Sequence, residues 1–123
     1  MNELLIYIGG ATAFIWGVTH LFPTRNVVKG FGEITLDNKR IITMEWIVEG
    51  ATLIFLGALT FVITIVDPTA QISRMVYWFI VGMLVVLAVI SLFTGFKVNF
   101  LPYKLCPLIF TLSAVFILLG MVL

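Results

Sequence analysis

Glu45 and Glu49 are the only charged residues between Ile41 and Val66, a stretch in which every other position is apolar, threonine or glycine. Four residues apart on a helix, two carboxylates share a face and repel when both are ionised. An ionised side chain at the centre of a membrane-spanning helix costs about 2.5–3.5 kcal/mol on an insertion scale. Glu45 lies about one turn from Arg40 and can reach back to the surface or pair there. Glu49 sits roughly 12 Å along the helix from Ile41 and has no such route. Desolvation and repulsion act together on it, so Glu49 is expected to be neutral for much of the time or paired, the two acids titrating as one coupled unit.

The partners available to such an acid are few. His20 is the sole histidine and Cys106 the sole cysteine. A lone cysteine excludes an intramolecular disulfide and a CxxC redox centre, and one histidine with one cysteine falls short of the four ligands of a structural zinc site. No metal site is expected. With a formal net charge of +1 and no basic run, nucleic acid is not an expected partner either.

The elements that hold these residues follow from composition. The chain of 123 residues is 62% hydrophobic and 11% charged, with a mean hydropathy of +1.21. Soluble domains are about a quarter charged and about half apolar, so the departure is towards lipid. Spanning helices need roughly 20 mostly apolar residues. The expected spans are about 4–22, 41–66, 75–96 and 105–123, in one domain covering 1–123. Pro23 ends the first, Asp67-Pro68 stops the second, and Pro107 falls in the first turn of the fourth, where it is tolerated. The first span is not expected to be a cleaved signal, because Glu3 replaces a positive n-region and no small-residue cleavage site follows. Short connections make successive spans antiparallel neighbours, which predicts an all-α, four-helix membrane bundle. The longer first connection, from Pro23 to Arg40, is read as a surface loop, with a short interfacial helix over the mouth of the bundle as the alternative.

Lysine and arginine set the expected orientation. Arg25, Lys29, Lys39, Arg40, Lys97 and Lys104 fall in the first and third connections, against Arg74 alone on the other side. The positive-inside rule then puts those connections in the cytoplasm and both termini outside a cell membrane. Trp16, Trp46 and Trp78 lie near span boundaries, where aromatic belts form, and each is read as an interface anchor before a ligand-stacking residue.

Face by face, the bundle gains a polar half. Gly9, Ala13, Trp16 and His20 share one side of the first helix with Gly17 at its edge, a small-residue ladder suited to close helix approach. Glu45, Glu49, Thr52 and Leu56 form a stripe on the second helix, and Cys106, Ser113 and Gly120 recur every seventh residue on the fourth. The cytoplasmic half therefore collects the candidate ligand-binding residues His20, Glu45, Trp46 and Glu49, with Trp16, Thr52, Thr94 and Tyr103 around them. The chemistry they suit is a mostly apolar pocket with a few polar groups, holding an apolar molecule with a polar head, quinone-like or lipid-like. Three alternatives stay open: a proton-coupled transporter using Glu49, a lipid-modifying enzyme with a Glu/His acid–base pair, and a plain His–Glu tie between helices.

Two stretches carry a resemblance. "GVTHLFPT" ends the first span with a polar residue followed by Leu-Phe-Pro, and "EGATLIFLGALT" opens on Glu49 with regularly spaced small and large residues. Together they resemble the DoxX-like family of small four-span membrane proteins over roughly the first half of the chain. The resemblance implies a four-helix membrane subunit, since some relatives work in quinone-linked sulfur-oxidation or oxidative-stress complexes. It implies a membrane-complex partner, a homo-oligomer being the partnership expected under the transporter alternative, and matches Glu49 to the acidic position opening the family's second-helix motif. It implies no catalytic residue and no particular cofactor.

Overall fold

Helix α1 spans Glu3–Leu21. It opens at Asn2, whose side chain accepts from the Leu5 N–H at 3.3 Å, and Glu3 in the first turn complements the helix dipole. After Pro23 comes α2, Thr24–Gly30, a two-turn helix in place of the expected loop. The chain then reverses through Gly32, whose φ of 75° is the left-handed conformation that glycine adopts without a Cβ clash. Helix α3, Leu36–Val66, begins earlier than hydropathy alone suggests, because Thr35 caps it, accepting from the Asn38 N–H at 3.2 Å. Its 31 residues are about 46 Å long, so its first turns, with Asp37, Lys39 and Arg40, extend beyond the length a membrane requires. Helix α2 packs against this projecting start.

Asp67 ends α3 and starts the next turn. Its carboxylate accepts from the Thr69 hydroxyl at 2.8 Å, the Thr69 N–H at 2.9 Å and the Ala70 N–H at 3.1 Å. The Thr69 hydroxyl, with these amides, holds its carboxyl below the usual carboxylate range. Helix α4 runs Gln71–Phe93, a 3₁₀ turn covers Gly95–Lys97, and α5 spans Leu101–Val122. Because α5 starts at Leu101 with Pro102 in its first positions, Pro107 falls inside the helix and not in its first turn. Its missing N–H leaves the carbonyl of Tyr103 without the usual helical donor.

In this computed structural model, which describes residues 1–123, the protein is an all-helical bundle in which α1, α3, α4 and α5 are each long and apolar enough to cross a membrane. It is a four-helix, multi-pass membrane architecture, as its composition predicts. The neighbour relations differ from chain order. Helix α1 packs closely on both α3 and α5, and α4 packs on α5, but α3 and α4 touch only sparsely despite their short link. What contact they have includes a bond near that link, where the hydroxyls of Thr64 and Tyr77 lie 2.8 Å apart in the buried interior.

Glycines explain the order. A Cβ on Gly57 would lie 2.6 Å from the carbonyl oxygen of Gly10, and one on Gly17 would lie 2.7 Å from the amide nitrogen of Ile54 and 2.8 Å from the Gly50 oxygen. Gly10 and Gly17 thus face Gly57 and Gly50, each pair seven residues apart, and let two antiparallel backbones touch. Gly9, expected on the same ladder as Gly17, faces α5 instead: its carbonyl accepts from the Ser113 hydroxyl at 2.7 Å. On α5, Cys106, Ser113 and Gly120 are all buried, as their sevenfold spacing suggests. Near the other end of α1 the Asn2 N–H donates to the Gly120 carbonyl at 2.7 Å.

The larger apolar core lies in the half of the bundle nearest Asp67, with Ile6, Leu56, Tyr77, Leu84 and Ile117 among its ten buried members. Towards the α2 end only Leu53, Cys106 and Phe110 form a buried cluster, with Trp16 and Leu87 against it. That half is where polar groups and open volume collect.

The glycine contacts make a paired prediction. Gly57→Ala forces a methyl into the α1 backbone and should destabilise the bundle by about 1–3 kcal/mol. Gly82, on α4, has nothing within 4 Å of a Cβ, so Gly82→Ala should be neutral or stabilise by about 0.5–1 kcal/mol through helix propensity. Thermal unfolding of both variants in detergent measures the contrast, and equal effects would refute it.

Candidate functional site

At the α2 end, the last turn of α1 and the third turn of α3 come together on a stacked pair. The rings of His20 and Trp46 lie 3.9 Å apart and within 16° of parallel. The carbonyl of His20 belongs to the last turn of α1, whose carbonyls lack helical partners. The indole N–H of Trp46 donates to it at 2.8 Å, so one side chain both covers the imidazole and closes the helix end. Trp46, expected as an interface anchor, is a bridge between helices. Tyr103 of α5 meets the indole edge-on at 5.7 Å. Trp78 alone of the three tryptophans is exposed.

Beyond the stack, His20 Nε2 lies 3.5 Å from Glu49 Oε2. The imidazole side chain is 6% exposed and that of Glu49 39% exposed. The approach is close enough for an ion pair yet Nε2 has no aligned hydrogen-bond partner. The indole nitrogen of Trp16 is likewise buried without one. Buried donors without acceptors are uncommon, each costing on the order of 1–3 kcal/mol.

Two cavities flank this cluster. The larger, about 550 Å³, fills the gap that α3 and α4 leave between them. Glu45, Trp46, Glu49 and Thr52 line its α3 side and Met83 and Leu87 its α4 side, with Tyr103 of α5, Val27 of α2 and Phe31 just after α2 completing the lining. The smaller, about 220 Å³, lies between α1 and α5 and is lined by Trp16, Thr19, His20, Trp46, Tyr103 and Cys106 with prolines and apolar residues. Trp46, Tyr103 and Val27 are common to both and form the partition, with His20 on the smaller cavity's side and Glu49 on the larger's.

The candidate residues therefore separate into groups. His20, Trp46, Glu49 and Tyr103 meet at the partition, and Trp16 lines the smaller cavity. Glu45 is exposed at the mouth of the larger one. Thr52 lines that cavity but its hydroxyl is spent on the Val48 carbonyl at 2.7 Å. Thr94 is apart from the rest: it is exposed, its hydroxyl donates to the Ile90 carbonyl at 2.6 Å, and it lines neither cavity. Its place near the end of α4 suggested proximity, but the splaying of α4 from α3 carries it away. Residues not singled out from sequence are Val27, Phe31, Met83 and Leu87. The first two needed α2 to be a helix, and the α4 pair needed the gap beside α3. No group of three or more His, Cys, Asp or Glu side chains forms a metal cage.

No protein-family model, curated protein or solved structure matches the chain. What the site does has to be argued from its own geometry.

The 3.5 Å approach predicts coupling between its two residues. His20→Ala and Glu49→Ala should be non-additive, the double variant losing about 0.5–3 kcal/mol less than the sum of the singles. Thermal stability of the four proteins in detergent gives the cycle, and strict additivity would mean that the two side chains do not share a site.

Proposed function

We propose that the protein binds an apolar molecule with a polar head, quinone-like or lipid-like, in the cleft between α3 and α4, and serves as an accessory subunit of a membrane complex. The observation that carries this reading is a largely apolar cleft with the Glu49 carboxyl on its wall. Glu49 would bond the head group, with His20 Nε2 3.5 Å behind its carboxyl on the side of the smaller cavity, and Trp46, Tyr103, Met83 and Leu87 would enclose the body. The cleft lies where α3 and α4 separate, so such a molecule would enter sideways from the hydrocarbon and never cross water. The accessory-subunit part of the proposal rests on the DoxX-like resemblance of "GVTHLFPT" and "EGATLIFLGALT".

A transporter reading finds less support. The buried hydroxyls of the opposite half are already engaged: Thr60 donates to the Leu56 carbonyl, Thr64 to that of Thr60, and Ser73 to that of Asp67. No free polar path continues from Glu49 through that half. For an enzyme reading, the pair of a carboxyl and an imidazole is present, but no third group converges on a reacting position.

The test is mass spectrometry of protein purified in mild detergent, which should find a retained small apolar molecule. Glu49→Gln should lower its retention about tenfold while leaving the protein monodisperse, the effect of one lost hydrogen bond to the head group. Glu45→Gln, at the mouth, should leave retention unchanged. Retention that survives Glu49→Gln would reduce the His20–Glu49 contact to a structural tie.

The orientation we propose puts the α2 end in the cytoplasm of a cell membrane, on the strength of six of the seven Lys/Arg residues. A reporter fused after Leu123 is expected outside the cytoplasm and one near Asn38 inside. The opposite labelling would reverse the assignment.

A further inference from the structure

Helix α2 has two faces with different neighbours. Val27 and Phe31, four residues apart, line the cleft described above, whereas Arg25 and Lys29, also four apart, line a separate groove on the other side. Lys39, from the projecting start of α3, completes that groove with Thr24, Val28, Gly32 and Thr43. Its volume is about 320 Å³ and only one of its lining residues is hydrophobic.

The three cations have no carboxylate within ion-pair distance: the one Lys or Arg side chain within 4 Å of a carboxylate is Arg40, beside Asp37. Glu33 and Asp37 are the nearby acids in the chain; both are exposed, neither lines the groove, and Asp37 is turned to Arg40 at 3.9 Å. Like charges four residues apart on a helix repel, and a third cation brought against them adds to the repulsion. A multivalent anion relieves it. The hydroxyls of Thr24 and Thr43 donate to the Leu21 and Lys39 carbonyls at 2.6 and 2.7 Å, so recognition falls to the cations. By contrast Lys104, at the same end, is already engaged by the Phe96 carbonyl at 2.9 Å and lies over the Phe96 ring.

We infer that this groove, lined by Arg25, Lys29 and Lys39, binds the phosphate of an anionic phospholipid. A lipid, and not a soluble phosphate, is indicated by what surrounds it. Phe22, Phe31 and Leu36, all more than half exposed, flank α2 where spans α1 and α3 end, a position suited to acyl chains beside a headgroup. Arginine supplies a forked donor and the lysines point charges, the usual means of holding phosphate. The site is independent of what occupies the cleft between α3 and α4.

The experiment is native mass spectrometry of the whole protein in mild detergent with phosphatidylglycerol, phosphatidylcholine or inorganic phosphate added. Phosphatidylglycerol should be retained about 100-fold better than phosphatidylcholine and should resist displacement by millimolar inorganic phosphate. The triple variant Arg25→Gln, Lys29→Gln, Lys39→Gln should lose this preference by a factor of about 100, taking about fivefold per charge near an anionic headgroup. The charge-conserving triple Arg25→Lys, Lys29→Arg, Lys39→Arg should keep most of it, which separates lost charge from lost folding. A control at other sites, Arg74→Gln with Lys97→Gln, should have little effect. Loss as large in the control, retention in the charge-removing triple, failure of the charge-conserving triple, or inorganic phosphate binding as well as the lipid would each overturn the proposal.

Discussion

The bundle depends on how closely α1 approaches its two neighbours. Gly10 and Gly17 let the α3 backbone touch it through Gly57 and Gly50, and Gly9 admits α5 on the adjoining face, where Ser113 donates to the Gly9 carbonyl. In lipid, apolar surface alone does not draw helices together, because acyl chains are as apolar as leucine; close van der Waals contact and interhelical hydrogen bonds do so. With α1 holding α3 on one side and α5 on the other, α4 finds its place on α5. The gap between α3 and α4 follows from that arrangement, and so does the cleft.

The same approach sets the geometry of the site. Drawn against α1, α3 brings Trp46 over His20 and Glu49 beside it. The imidazole is then fixed by a stacked ring on one side, by the indole bond to its own carbonyl, and by the nearby carboxylate. Few of these restraints come from the site's own sequence neighbourhood, since Trp46 and His20 are 26 residues apart. A change at Gly17 or Gly50 would shift the cluster without touching any of its residues.

Much of this architecture was legible in the sequence, and the illegible part has a common cause. The spans follow from uninterrupted hydropathy, and their number and lengths are close to those observed. His20 and Glu49 were foreseeable partners because each lies near the same end of an antiparallel pair. Gly9 reads as one ladder with Gly17 yet meets a different helix, because Gly9 and Gly10 are adjacent in sequence and point to different neighbours. Only the matching sevenfold spacing of Gly50 and Gly57 on α3 identifies which of the two meets it. Trp46 read as an interface anchor because its position near a span end fits that role, whereas its partner is a backbone carbonyl that no side-chain pattern reveals. The α3–α4 cleft was invisible because a short loop constrains only one end of a helix pair. Where the other ends go is decided by competition for α1 and α5.

There is a further consequence of the central position of α1, in the order of events during synthesis. Helix α1 is the earliest of the spanning helices in the chain, yet one of its two partners, α5, is the last. Until α5 emerges, the Gly9 carbonyl lacks its bond from Ser113, and the Gly120 carbonyl is not there to accept from Asn2. The most highly connected helix is therefore the one that waits longest with a face uncovered. During that interval α1 can be held by α3 alone, through the two glycine pairs, so the early hairpin must be stable enough to keep its register until the final helix arrives.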